Sequence, residues 1–329
     1  MTSREVVTRT IRFERPDRLA YDFPSKYGSD FVTVGELIKD EYSNVNAPEE
    51  NVKEWTDEWG VVWRRLGNDI RGQAKEFPIK EWKDFESYKV PDFKDPKRWQ
   101  GLEKVREKAG DKFLLGHGIE IYERIHFLRG LENTWADIYL ERKHLEGLLD
   151  ILVDINLEII HHYAEAGVDG FISCDDWGFQ DRLMIAPEKW REIWKPRYAK
   201  IYKTAREVGM YTFLHSCGYI VDILDDLIEV GLDVVHMDQQ ENMGLELLGK
   251  RFGGRLTFFS PVDIQKTMVR GNLDEIRAYC REMVKHLWRP EGGFIPRWYT
   301  DPVGAGHSPE AIDAMCEEFL KISKEIYGK

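Results

Sequence analysis

A histidine and a cysteine two residues apart, in His215-Ser216-Cys217-Gly218, follow the apolar run Met210-Tyr211-Thr212-Phe213-Leu214. Imidazole and thiolate are both zinc ligands. Residues two apart on an extended chain point to the same side, so the pair can grip one soft ion if strand geometry persists to residue 217. The end of a buried strand is also where a parallel α/β enzyme keeps its chemistry. The plainer alternative is an ordinary strand end closed by a glycine turn. Two ligands do not complete a zinc site, so further donors must come from neighbouring strand ends.

Those ends are polar. Asp22 follows one apolar run. His117-Gly118-Ile119-Glu120 follows a second, Cys174-Asp175-Asp176-Trp177-Gly178 with Gln180 a third, Asp238-Gln239-Gln240-Glu241 a fourth and Ser260-Pro261-Val262-Asp263 a fifth. The last is Arg297-Trp298-Tyr299-Thr300-Asp301, with His307 nearby. Cys174, Asp238, Glu241, Asp301 and His307 are the candidate further metal donors. Glu120, Asp175, Asp176 and Tyr299 are the candidate acid–base groups, and His117, Trp177, Gln180, Arg297 and Trp298 the candidate substrate contacts. The adjacent Asp175 and Asp176 repel each other unless one meets a cation or a donor, which points one of them at the pocket. Asp263 and Glu241 read as helix caps. His126, His144, His161, His162, Cys280 and Cys316 read as structural. His236 alternates onto the same side as Asp238 and carries only a weak suggestion of a role.

The elements that must position these groups follow a βα rhythm from about residue 110. The apolar runs are Phe113–Gly116, Gly170–Cys174, Tyr211–His215, Val234–Asp238, Leu256–Ser260 and Gly293–Pro296. Arg18–Phe23 is a seventh expected strand and Tyr42–Asn46 a weak eighth. Ser308-Pro309-Glu310, Asn272-Leu273-Asp274 and Ala186-Pro187-Glu188 are helix starts, and Gly167, Gly209 and Gly231 stand where helix C-caps are needed. The expected fold is a single (β/α)8 TIM-type barrel over residues 1–329, with residues 24–110 as a tryptophan-rich elaboration over its mouth, a potential lid. No phosphate-binding glycine fingerprint appears. Some of the eleven tryptophans can line a pocket, although plugging irregular segments against the barrel is the commoner use.

Composition narrows the class. A formal charge of −12 without a basic stretch excludes nucleic acid and anionic membrane as partners. Four scattered cysteines do not make a disulfide framework, and the opening Met1-Thr2-Ser3-Arg4-Glu5 lacks the apolar core of a secretory signal. A soluble cytoplasmic protein is expected, with a homodimer admitted.

Several segments, in order, resemble the uroporphyrinogen decarboxylase superfamily: Thr2–Val7 with Phe13-Glu14-Arg15-Pro16-Asp17-Arg18, Trp59-Gly60-Val61-Val62-Trp63, Gly167-Val168-Asp169-Gly170, His215-Ser216-Cys217-Gly218 and Ser308-Pro309-Glu310. The resemblance covers nearly the whole chain and implies a (β/α)8 barrel. Decarboxylases of that superfamily carry an arginine-rich motif after the first strand that grips the substrate's acidic side chains. Here Tyr21-Asp22-Phe23-Pro24-Ser25-Lys26 has no arginine, so the cationic clamp is missing. The cobalamin-dependent methyltransferase branch is the better match. In that branch a His-x-Cys and a later cysteine bind zinc, and His215 and Cys217 match the first two. Residues 294–301 contain no cysteine, which shifts the expectation from thiol activation toward demethylation of an O-methyl or related donor, with Asp301 as the replacement ligand ahead of Cys174 and Asp238. The resemblance implies a zinc-assisted methyltransferase working with a small methyl donor or acceptor and a separate corrinoid protein that carries the cobalamin. The alternatives are a metal-free decarboxylase or acid–base lyase using Asp175, Asp176 and Tyr299 with Arg297 as carboxylate anchor, and a non-catalytic ligand- or partner-binding barrel.

Overall fold

The computed structural model describes residues 1–34, 45–46, 52–66 and 72–328. Its centre is a curled parallel sheet of seven strands in the order β1-β6-β7-β8-β9-β10-β11. These are β1 (Phe31–Val34), β6 (Phe113–His117), β7 (Gly170–Cys174), β8 (Tyr211–His215), β9 (Val234–His236), β10 (Thr257–Ser260) and β11 (Phe294–Pro296). Helices connect them, as parallel pairing requires. The expected helix starts are present: Ser308 Oγ accepts from Ala311 N–H at 3.1 Å, and the Asn272 side chain accepts from the N–H groups of Asp274 and Glu275.

Alternation sorts the strand residues into two packing systems. Leu114, Phe171, Leu214, Val235, Phe258 and Phe294 face outward into the helical layer. Phe113, Leu115, Ile172, Phe213, Val234, Phe259 and Ile295 face inward and fill the barrel. The N-terminal helix Ser3–Arg12, begun by a Thr2/Glu5 capping box, adds Val6, Val7 and Ile11 to this inner cluster. Gly293 N–H donates to Thr10 C=O at 3.0 Å, and a Cβ on Gly292 would lie 2.5 Å from that same oxygen, so helix and strand start meet backbone to backbone. The N-terminal helix therefore stoppers the bottom of the barrel.

The eighth position corrects the expectation. Arg18–Phe23 does not form a strand: only Asp22 bridges, parallel to Arg297 on one side and antiparallel to Ser29 on the other. Asp22 N–H donates to Pro296 C=O at 3.1 Å and Trp298 N–H to Asp22 C=O at 3.0 Å, which closes the ring beside β11. The segment cannot extend because it turns back at once, with Asp30 N–H donating to Tyr21 C=O and Arg18 paired to the Asp30 carboxylate. The chain then enters β1, a strand the sequence reading passed over. In the weak candidate Tyr42–Asn46, residues 42–44 lie outside the described residues; Val45–Asn46 belongs to a different sheet.

That sheet is antiparallel, in the order β2 (Val45–Asn46), β3 (Val52–Thr56), β4 (Val62–Leu66), β5 (Gln73–Glu76). The Asp57 carboxylate organises the β3–β4 turn, accepting from the N–H groups of Trp59 and Val61, each at 2.9 Å, and from Trp63 Nε1 at 2.8 Å. Trp59 and Val61 enter the outer core. Arg124, on the helix Glu123–Arg129 after β6, lies 3.6 Å from Asp57 and over the Trp59 ring. Among the described residues no helix is long and apolar enough to cross a membrane.

The stopper helix supplies a stability test. Ile11→Ala removes buried methylenes at the base of the inner cluster and should destabilise by about 2–5 kcal/mol, read as a lower urea midpoint with an unchanged slope.

Candidate metal centre and active site

Strand register assembles the centre. Cys174 pairs with His215 across β7–β8, and His215 with His236 across β8–β9. Paired residues on parallel neighbours share a face about 4.8 Å apart. Counting by twos from the inner cluster, His117, Cys174, His215, His236 and Arg297 all stand above apolar inward residues of their own strands. The barrel is therefore apolar below and polar at the mouth.

Three donors converge there from β7 and β8: Asp176, His215 and Cys217 each offer one ligand atom, all within 4.8 Å of one another. His215 Nε2 lies 3.5 Å from Cys217 Sγ and 3.5 Å from Asp176 Oδ1. A tetrahedral ion with bonds of about 2.0–2.3 Å holds its ligand atoms roughly 3.3–3.8 Å apart. Both His215 distances fall in that range, and the donor types suit zinc.

The loops hold that spacing. Cys217 N–H donates to Asp176 Oδ1 at 2.7 Å, Trp177 N–H to Ser216 Oγ at 3.1 Å and Tyr219 N–H to Phe179 C=O at 2.7 Å. The two loops touch at Gly178 and Gly218, where a Cβ on Gly218 would sit 2.1 Å from Gly178 C=O and where Gly218 has φ +77°. The glycine after Cys217 is thus needed both for its left-handed backbone and for the close approach.

A second set adjoins the first through His215. His215 Nδ1 lies 3.1 Å from His236 Nδ1, and His236 Nε2 lies 3.2 Å from Asp238 Oδ1. The buried Arg297 guanidinium contacts His236 Nε2 through Nη1, which also stands 3.4 Å from Asp238 Oδ1. Burial pushes the Cys217 thiol up, and the carboxylates of Asp176 and Asp238 push it further. A divalent cation held by Cys217 would reverse that balance, because coordination takes the thiolate.

The remaining expected residues separate in space. Asp175 is fully buried and turned away from the donor set: Tyr122, Glu123 and Ile121 N–H and the Tyr198 hydroxyl all donate to its carboxylate, at 2.7, 3.1, 3.3 and 2.6 Å. Trp177 is core rather than pocket wall, stacked on Tyr122 at 3.8 Å with Nε1 donating to Tyr198 Oη at 3.0 Å. Glu120 is ion-paired with Arg124 at 2.9 Å. Asp301 does not join the donor set; it accepts from Gly304 N–H at 2.8 Å and caps its own loop. Tyr299 stands 5.9 Å from the His307 ring, Trp298 packs on the outer core, Gln180 is exposed, and His117 lies half-buried at the rim. Asp263 caps the turn to Thr267, as its position suggested. His236, which alternation puts beside Asp238, also faces His215, and Asp176, an expected acid–base group, offers a carboxylate oxygen to the cluster with His215 and Cys217.

The uroporphyrinogen decarboxylase (URO-D) family pattern matches residues 75–319. The chain belongs to that family. Two methylcobamide:CoM methyltransferases MtaA, from Methanosarcina barkeri strain Fusaro and from Methanosarcina barkeri, are each 26% identical over 137 residues, covering 41% of this chain and 38% of each relative. The match thus spans well under half the length of these relatives. A solved methyltransferase from Methanosarcina mazei superposes with a TM-score of 0.71 at 16% identity, over 98% of this chain and 99% of its own, and shares the fold. Within the URO-D family this chain's mouth thus combines an Asp-His-Cys donor set with a buried arginine.

Asp175 gives a pH test. Burial pushes its carboxyl up to about 7 from 3.8, against the pull of its donors. The folded chain then holds a proton that the unfolded chain has released, so this group's contribution to stability falls as pH rises from about 4 through 7. Urea midpoints at pH 5 and pH 8 should drop more in the wild type than in Asp175→Asn.

Proposed function

We propose that the chain is a zinc-assisted, corrinoid-dependent methyltransferase, moving a methyl group between a small methylated substrate, such as an O-methyl ether, and a separate corrinoid protein. The observation that carries the reading is the convergence of Asp176, His215 and Cys217 within 4.8 Å of one another, with both His215 distances at tetrahedral spacing. The likeness to methylcobamide:CoM methyltransferases supports the reaction class and the corrinoid partner. No disulfide joins the four cysteines, in keeping with a cytoplasmic setting.

Zinc held by these three groups, with a fourth position open to substrate, would act as a Lewis acid on the heteroatom that bears the methyl group. The protein's own part is to position and exclude. The Gly178–Gly218 contact fixes the two ligand loops, the apolar inner cluster keeps water from below, and Arg297 places a fixed positive charge beside His236 and Asp238. One thiolate with an imidazole and a carboxylate is a harder shell than a two-thiolate one, which suits an oxygen leaving group better than a thiol nucleophile. The rival metal-free lyase loses one expected acid, since four donors claim the Asp175 carboxylate.

Protein purified without added metal and then titrated should bind one zinc per chain. Cys217→Ser and Asp176→Ala should weaken it at least tenfold, while Asp301→Ala leaves it unchanged. Transfer of the methyl group from an O-methyl ether to cob(I)alamin or the cobalt(I) form of a corrinoid protein, with release of the alcohol or phenol and followed by corrinoid absorbance, should depend on the bound zinc. A wild-type chain that takes up no zinc at saturating concentration overturns the reading; zinc uptake without methyl transfer would favour the non-catalytic barrel.

A further inference from the structure

The donor set reaches past its three ligands. A neutral imidazole has one N–H donor and one acceptor nitrogen. His215 Nδ1 and His236 Nδ1 face each other at 3.1 Å, so one must donate and the other accept, and the two rings are locked into opposite tautomers. Their outer nitrogens meet groups of fixed character. His215 Nε2 faces the Asp176 carboxylate at 3.5 Å, and His236 Nε2 stands between Arg297, which only donates, and Asp238, which when ionised only accepts.

For neutral rings, two arrangements of the protons follow from these contacts. In the first, Arg297 Nη1–H donates to His236 Nε2, His236 Nδ1–H to His215 Nδ1, and His215 Nε2–H to Asp176. Every donor has an acceptor, but a proton covers the nitrogen that zinc needs. In the second, His215 Nδ1–H donates to His236 Nδ1 and His236 Nε2–H to Asp238, so the Arg297 guanidinium must leave Nε2 for the Asp238 carboxylate it already stands 3.4 Å from, and the His215 Nε2 lone pair faces Cys217. Each ring keeps one proton throughout, so the reversal itself neither releases nor consumes any.

We infer that His236 is a positioning residue that sets the tautomer of His215 through this reversible chain, which runs from Arg297 to Asp176 without metal and toward Asp238 once metal is bound. The inference rests on the zinc reading above. It also says what the second donor set, His215, His236 and Asp238, is for. The Arg297 guanidinium already lies against both His236 and Asp238, so a second metal ion there would meet a buried like charge. The set is an outer support for a single ion, and such supports typically change metal affinity about 10–100-fold.

Long-range ¹⁵N–¹H correlation spectra of the wild-type chain at one pH, metal-free and zinc-loaded, read the tautomers directly. The expected result is Nε2–H on His215 and Nδ1–H on His236 without metal, both reversed on loading. Unchanged tautomers overturn the inference. So does a stoichiometry of two zinc ions per chain. In zinc titrations His236→Leu should bind roughly 10–100-fold more weakly, and His236→Asn, whose amide can donate or accept near the place of Nδ1, should recover most of that loss. Wild-type affinity in His236→Leu is a contrary result. If the wild-type chain binds no zinc, the functional reading falls and the reversal with it, while the metal-free spectrum still judges the chain: Nδ1–H on His215 overturns it and Nε2–H supports it.

Discussion

Parallel register is the constraint on which the centre depends. Because Cys174, His215 and His236 occupy one row across β7, β8 and β9, and because alternation gives each strand a single inward face, one set of positions builds both the apolar plug and the polar mouth. Phe213 and Val234 fill the barrel two residues below His215 and His236. A one-residue slip of β8 would turn Leu214 inward and send His215 into the helical layer. The energy that holds this register is hydrophobic burial, spread over the whole barrel and over the helix that stoppers it, so the donors are placed by packing that they take no part in.

The same placement leaves the polar groups poorly solvated, and the site is arranged to answer that. The neighbouring carboxylates Asp175 and Asp176 have opposite duties. Asp175 points into the structure and gathers the backbone at the start of the helix after β6, whereas Asp176 points to the mouth, where Cys217 N–H and His215 face it. The adjacent carboxyls are tolerated because the backbone sends them apart, each finds its own donors, and burial pushes Asp175 toward its neutral form. The Gly178–Gly218 contact then presses the Asp176 loop against the Cys217 loop, which converts two flexible strand ends into a fixed ligand spacing.

Much of this was legible in the residues. Six barrel strands show as apolar runs, because parallel strands buried on both faces read that way, and His215 with Cys217 shows by spacing alone. The rest depends on contacts that no local pattern records. The Arg18–Phe23 run looks like a strand, but Asp30, twelve residues from Arg18, captures its arginine and turns it back. β1 is as long as β10 and longer than β9 or β11, but it falls in the 24–110 stretch, where no repeated βα spacing marks it as a barrel strand. Asp301 and Asp176 are equivalent as sequence, each an acid just beyond a strand, and only the loop folds decide that one caps a turn and the other joins the donors. Trp177 sits next to polar residues along the chain yet lies in an aromatic cluster with Tyr122, Trp190 and Trp194, which neighbours in sequence could not reveal. His236 was visible by alternation, but its weight comes from facing His215 across the sheet.

The central claim is that a single metal ion is held by one sulfur and by harder donors from the adjacent loop and strand. X-ray absorption at the zinc edge of the loaded protein tests it most directly. The expected shell has one sulfur at about 2.3 Å and the remaining nitrogen and oxygen atoms at about 2.0–2.2 Å, the sulfur vanishing in Cys217→Ser. A shell with two sulfurs, which would bring in Cys174, or with none, would contradict the account.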